Sequence, residues 1–228
     1  MASWAIGVGG TSVGAALVGV IVGSGLGVAV GAVVGVSVGA GKAGSMVAYE
    51  GLIDFNPNPP QLASMAKSWA TGEGVQLMIA SGQGNLFLAD YGADVIVMQL
   101  NNEALSVNGP NILAFESSLQ WGIERVKGVS LFSGMGMFNV VLRGQGWVAL
   151  TSKGTPAMLD TREAPTFVDT DALVAYTEGL QITPKKTVKF GGLIGRGSGE
   201  AFQLGFQGQG FVIVQPAEEP SSKFAVRG

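Results

Sequence analysis

The sequence predicts an all-β fold in which one β-rich unit occurs three times, giving pseudo-threefold symmetry. Glycine is abundant, at 37 of 228 residues, and charged residues make up 13% of the chain, about half their usual share. After Gly72, short apolar segments alternate with Gly, Asn, Asp and Pro, which is typical of strands joined by turns. A repeated sequence pattern supplies the third observation.

The first repeated motif is Gly-Gln-Gly, found at Gly82-Gln83-Gly84, Gly144-Gln145-Gly146 and Gly208-Gln209-Gly210. The central glutamines, at 83, 145 and 209, are 62 and 64 residues apart. Each motif is predicted to be a tight hairpin turn between two strands, because glycine adopts positive φ at little cost. A Gly-x-Gly at 72–74, 134–136 and 197–199 is predicted to open the first strand of each pair.

The second repeated motif is an apolar segment centred on alanine, at Ser45–Glu50, Asn111–Glu116 and Ala172–Thr177. The alanines stand at 48, 114 and 175, so their spacings of 66 and 61 match the first period. Two independent motifs with one period indicate three related units of about 60 residues.

Residues 1–41 contain no charged side chain and have two interpretations. Glycines four apart, from Gly19 to Gly39, would line one face of a membrane-spanning helix. Alternation of Val with small residues instead predicts strands, with Ser24-Gly25 as a hairpin turn. Gly23-Ser24-Gly25 lies 59 residues before Gly82, where the repeat period predicts a Gly-x-Gly turn of the first unit. This favours the strands.

The rest of the chain is divided into a three-unit β domain at 42–216 and a polar tail at 217–228. One short helix is predicted near residues 61–69, after the proline-rich loop that ends at Pro60.

The composition argues against several classes of function. The chain contains no histidine and no cysteine, which removes the commonest general base, the commonest metal ligand and every thiolate site. We therefore predict no enzymatic activity, no catalytic residue, no metal and no cofactor. A net charge of −3 also argues against a nucleic-acid partner.

Two weaker site hypotheses remain. Backbone N–H groups around Arg196, Gly197, Ser198 and Gly199 could bind an anion or another small ligand. An enzyme would instead require two or more side chains to converge in one cleft, either from the carboxylates Asp90, Asp160, Asp169, Asp171 and Glu200 or as the pair Ser64 and Lys67.

Five stretches resemble the bacterial relatives of Altered inheritance of mitochondria protein 24, a family with a domain of unknown function: Lys42–Tyr49, Phe87–Asp90, Leu105–Gly109, Thr166–Asp171 and Gly195–Leu204. The resemblance implies a pseudo-threefold double-stranded β-helix like that of the tryptophan RNA-binding attenuation protein. It implies no catalytic residues, and it links the mitochondrial relative to inner-membrane organisation. Residues 1–41 depart from the family pattern.

The sequence therefore predicts a non-enzymatic scaffold that self-associates or binds protein partners as a homo-oligomer. We expect it in the cytoplasm, with a membrane surface as a further partner through residues 1–41. A small-ligand or anion-binding β module using the Gly-x-Gly turns is the alternative.

Overall fold

The computed structural model describes residues 18–22, 29–35, 39–56, 76–126, 138–188 and 200–216. Within these ranges the regular elements are strands, apart from single-turn 3-10 helices at Gly109–Asn111 and Thr170–Ala172. The all-β class is confirmed. The predicted helix at 61–69 and the predicted tail at 217–228 lie outside the described residues, and the domain boundaries at 41 and 216 remain predictions.

The strands are numbered in chain order: β1 Val18–Val22, β2 Ala29–Gly35, β3 Gly39–Lys42, β4 Met46–Asn56, β5 Leu77–Leu88, β6 Asp94–Asn108, β7 Ile112–Glu116, β8 Gln120–Arg125, β9 Phe138–Ser152, β10 Ala157–Asp160, β11 Thr166–Asp169, β12 Leu173–Thr177, β13 Gln181–Val188, β14 Glu200–Gln207 and β15 Phe211–Val214.

The chain forms two compact units. Unit 1 comprises Met1–Asn102, Ile112–Gln120 and Gly144–Thr151, and unit 2 comprises Glu103–Asn111, Trp121–Arg143 and Ser152–Gly228. The long strands β6 and β9 therefore contribute residues to both units.

In unit 1 the strand order is β1-β2-β5-β3-β7-β9. Strand β5 pairs with β2 and β3 along one edge and with β4 along the other, and all three pairings are antiparallel. Apolar residues from β4, β5, β6, β7 and β9 form the core, which includes Met78, Leu86, Leu88, Leu113, Ala114 and Ala149.

In unit 2, β12 lies between β6 and β15, and β10 pairs with β15. Strands β11, β14 and β13 form a second antiparallel sheet. The core between these strands contains Val126, Val168, Leu173, Tyr176, Leu180, Leu204, Phe206 and Val212.

The described parts of residues 1–41 are strands. Strands β1 and β2 pair antiparallel, with Val18 opposite Val34, and β3 pairs with β5 and β7. The predicted turn at Ser24-Gly25 lies outside the described residues. No helix in the described part of the chain is long and apolar enough to cross a bilayer.

The alanine-centred segments form strands with one shared irregularity. In each, the third residue of the motif is skipped in the pairing: Met46 and Ala48 face Leu88 and Phe87, Ile112 and Ala114 face Leu150 and Ala149, and Leu173 and Ala175 face Val214 and Ile213. A β-bulge therefore stands at the same motif position in β4, β7 and β12.

The prediction of hairpin turns at Gly-Gln-Gly is wrong. The motif at 82–84 lies inside β5 and that at 144–146 lies inside β9, while the motif at 208–210 separates two strands of different sheets. Gly84 has a φ of 156°, and a Cβ there would overlap the carbonyl oxygen of Glu50. The glycines of β5 thus allow close approach of two backbones rather than a reversal of the chain.

Candidate functional site

The predicted anion-binding residues Arg196, Gly197, Ser198 and Gly199 lie outside the described residues. That hypothesis therefore stays a prediction.

The carboxylates proposed as catalytic candidates have structural partners where their side chains are described. Asp90 accepts a hydrogen bond from Lys42 Nζ at 2.6 Å, which ties the end of β5 to the end of β3. Asp169 accepts from the backbone N–H of Asp171 at 3.1 Å and caps a 3-10 turn. Within the described ranges, no group of three or more acidic side chains is arranged to hold a metal ion.

Asp160 forms an exposed ion pair with Arg162. The guanidinium and the backbone N–H of Arg162 both donate to the carboxylate, which lowers the pKa of Asp160 to about 2. This pair stabilises the turn after β10 and leaves Asp160 unsuited to act as a general acid.

The most prominent surface feature is β4. Among the described strands it pairs with β5 alone, and four large apolar side chains are exposed along it: Met46 (43%), Val47 (65%), Tyr49 (50%) and Leu52 (84%). An apolar strand with one unpaired edge is a ready template for another strand.

The equivalent strands are buried. Strand β7 lies between β3 and β9, β12 lies between β6 and β15, and the first four residues of each are buried. Strand β4 differs from both because it has one described neighbour instead of two.

A second feature is a cavity of about 200 Å³ within unit 2, which we call the Tyr176 cavity. Its lining includes the apolar residues Val141, Leu180 and Ile182 and the hydroxyl-bearing residues Ser106 and Tyr176. Glu124, Arg125, Glu178 and Gly179 complete the lining.

A buried polar network stands at the cavity wall. The Tyr176 hydroxyl is hydrogen-bonded to the side chains of Ser106 and Asn139, and Asn139 Nδ2 donates to Ser106 Oγ at 3.0 Å. Burial raises the pKa of Tyr176 above its ordinary value, so the phenol stays protonated and can donate a hydrogen bond.

Arg143 fixes the two carboxylates of the cavity lining. Its Nε and Nη2 donate to both oxygens of Glu178, at 2.9 and 2.7 Å, and its Nη1 donates to Glu124 at 2.7 Å. These bonds raise the pKa of Arg143. A bidentate contact plus a third bond sets the positions of both carboxylates.

The corresponding aromatic residue of β7, Phe115, lines a much smaller cavity of about 30 Å³ in unit 1. That cavity is lined mainly by small and apolar residues such as Ala40, Ala80 and Leu88. Sequence analysis did not single out the Tyr176 cavity. The signal in the sequence is weak, because the motif position occupied by Phe115 in β7 is Tyr in both β4 and β12.

The fold defines an all-β protein, and apolar side chains of β4 are exposed on the part of its surface that the structure describes. A family model described as Mitochondrial biogenesis AIM24 matches residues 32–217, and the chain belongs to that family. No curated protein matches the chain in sequence.

The fold is similar to the crystal structure of protein SPYM3_0169 from Streptococcus pyogenes, with a TM-score of 0.69 and 19% sequence identity. The alignment covers 89% of this chain and 94% of that one. At this identity, the similarity concerns the fold.

Proposed function

We propose that this protein is a non-enzymatic scaffold that self-associates by pairing β4 with β4 of a second copy, along the edge that has no partner among the described strands. The observation that carries the proposal is the row of exposed apolar side chains on a strand with one described partner. Monomeric proteins normally block such edges with charge, proline or a covering element.

We expect an antiparallel strand to pair with this edge of β4, because an antiparallel strand occupies the corresponding edge of β7 and of β12. In β7 and β12 the second neighbour, β3 or β6, is antiparallel and lies opposite the alanine of the motif. A strand from outside would give Ala48 the neighbour that Ala114 and Ala175 already possess.

A second copy suits the edge because antiparallel pairing about Ala48 is self-complementary. It would place Val47 opposite Tyr49 twice, and an aromatic and β-branched pair stabilises antiparallel strands. Asn85 on β5 donates to Glu50 at 3.3 Å, which draws that carboxylate away from the free edge. Gly51 has a φ of 93°, so we expect the pairing with a second copy to involve the five residues of β4 that precede it.

We further propose the pseudo-threefold double-stranded β-helix as the architecture of the scaffold. It is supported by the bulge shared by β4, β7 and β12, whose partner residues Leu88, Leu150 and Val214 recur at intervals of 62 and 64 residues. The anion-binding alternative at Arg196 to Gly199 remains a prediction.

Light scattering after size exclusion tests the self-association. We expect the full chain to have twice its 23.2 kDa monomer mass, and Val47→Lys with Tyr49→Lys to return it to the monomer. The matched control is Met158→Lys, which charges the exposed edge strand β10 instead. A monomer at all concentrations would contradict the proposal. If that monomer floats with liposomes and Val47→Lys with Tyr49→Lys abolishes the flotation, β4 contacts a membrane surface instead.

Disulfide trapping tests the location, and the absence of native cysteine removes the background. Ala48→Cys should form a disulfide with its counterpart, because residues facing each other in antiparallel strands lie within disulfide distance. If the protein dimerises but only Met158→Cys becomes cross-linked, the interface is at β10 and the β4 assignment is wrong.

A further inference from the structure

We infer that the Tyr176 cavity binds a small uncharged molecule carrying one hydroxyl group on an aromatic or alicyclic body the size of phenol. This inference concerns unit 2 by itself and does not depend on self-association through β4.

The size of the cavity sets the size of the ligand. An engineered protein cavity of about 150 Å³ lined by apolar side chains is large enough to bind benzene. The Tyr176 cavity, at about 200 Å³, has room for a six-membered ring with one further polar atom. It is too small for a lipid chain or a nucleotide.

The lining sets the chemical character of the body. Val141 and Leu180 are buried, and Ile182 packs against the core cluster of unit 2 that contains Leu180. These three side chains favour an apolar ring over a sugar or an amino acid, whose several polar groups would lose their hydration without replacement.

The hydroxyl groups of Ser106 and Tyr176 set the polar part. Both residues are buried, and both line the cavity while belonging to the network with Asn139. A phenolic oxygen and a serine oxygen each combine one donor with acceptor capacity, so they can exchange a hydrogen bond with a ligand hydroxyl. Binding sites commonly join such an apolar body to a few polar groups.

The charges around the cavity argue against an ionic ligand. Glu124 and Glu178 are both ion-paired with Arg143. Arg125 also lines the cavity, so two basic side chains stand beside two acidic ones. With this balance, neither a cation nor an anion gains net attraction.

The comparison with β7 shows that an apolar ring can occupy this position of the motif. Phe115 occupies the position of Tyr176 in the same bulged motif and is buried without a hydroxyl group. Burying a phenol instead requires hydrogen-bonding partners to offset its lost hydration. Ser106 and Asn139 supply them, and together the three side chains give the cavity a chemical selectivity that its smaller counterpart lacks.

Ligand-observed NMR titration of the full chain with phenol and with toluene tests the inference. The two probes have nearly the same size and differ in the hydroxyl group. We expect saturable binding of both, with phenol preferred, at concentrations that leave the near-UV circular dichroism unchanged. In Tyr176→Phe the preference for phenol should fall about five- to tenfold, the value of one hydrogen bond.

Two variants test whether the probes bind inside the cavity or elsewhere on the surface. Ile182→Phe fills part of the cavity and should abolish binding of both probes while the fold is retained. Tyr49→Phe removes a hydroxyl from exposed β4 and should change neither affinity. The inference is overturned if phenol does not bind, if it binds Ile182→Phe equally well, or if toluene binds the wild-type chain as tightly as phenol.

Discussion

Strands β4 and β12 have the same motif and the same bulge, yet their side chains have opposite environments. Tyr49 is 50% exposed and Tyr176 is 5% exposed, although both stand one residue after the motif alanine. The difference lies in the neighbours: β12 has β6 and β15, whereas β4 has β5 among the described strands. Local sequence therefore sets strand and bulge, and the number of neighbouring strands sets burial.

The comparison also has an energetic side. Burying a large apolar side chain is worth about 1.5–3 kcal/mol relative to exposure. The side chains of β12 are buried within the chain and contribute this free energy. Met46, Val47 and Tyr49 of β4 are partly exposed and contribute less of it. A partner on β4 would supply that missing burial.

Truncating the second residue of the alanine-centred motif should destabilise the chain most. Leu173→Ala in β12, where the side chain is 1% exposed, should lower the free energy of unfolding by about 2–5 kcal/mol. The equivalent Met46→Ala should cost less than about 1 kcal/mol in dilute solution, because Met46 is already exposed. Urea unfolding followed by circular dichroism measures both.

The same pair of variants also tests whether a second copy covers β4. If a second copy covers β4, the cost of Met46→Ala should rise with protein concentration, since association stabilises only the folded chain. A cost equal to that of Leu173→Ala at every concentration would mean that β4 is buried in the folded monomer, against the structure.

An intermediate effect is expected where β4 meets β5. Gly84→Ala would place a Cβ against the carbonyl oxygen of Glu50, and the resulting strain should cost about 1–3 kcal/mol. Because β4 has one described neighbour, its amides should exchange with solvent faster in this variant while those of β12 change little. Gly122→Ala in β8, where a Cβ meets nothing within 4 Å, is the control, and equal effects of the two would refute the close approach.

The smallest effect concerns the last position of the motif, occupied by Glu50 in β4 and Glu116 in β7. Burial raises the pKa of Glu116 above 4.5, outweighing hydrogen bonds from the Trp147 N–H and the Ser118 hydroxyl. The folded chain then binds this proton more tightly than the unfolded chain, so stability falls as pH rises from 4.5 through the folded-state pKa. Glu116→Gln should flatten that part of the profile and raise stability at pH 7 by less than about 1 kcal/mol, as urea unfolding followed across that pH range would show.

The class of fold and the positions of three strands followed from sequence because the alanine-centred motif is local and periodic. The Gly-Gln-Gly motifs were misinterpreted because positive φ permits either a turn or a close approach of strands, and the sequence does not contain the pairing that decides. The exposure of β4 was equally invisible, since its residues match those of buried β12. The Tyr176 cavity depends on Ser106 and Asn139, which are distant from Tyr176 in sequence and belong to neither repeated motif.

The division of β6 between the two units has a consequence for folding during synthesis. The last residue of unit 1 is Thr151, so that unit can complete its contacts while later strands are still being made. Val107, at the end of β6, must wait for Ala175 opposite it in β12. At about 5–20 residues per second, that interval lasts about 3–14 s. During this time the edge of β6 that later pairs with β12 can be bound by other nascent chains or by chaperones.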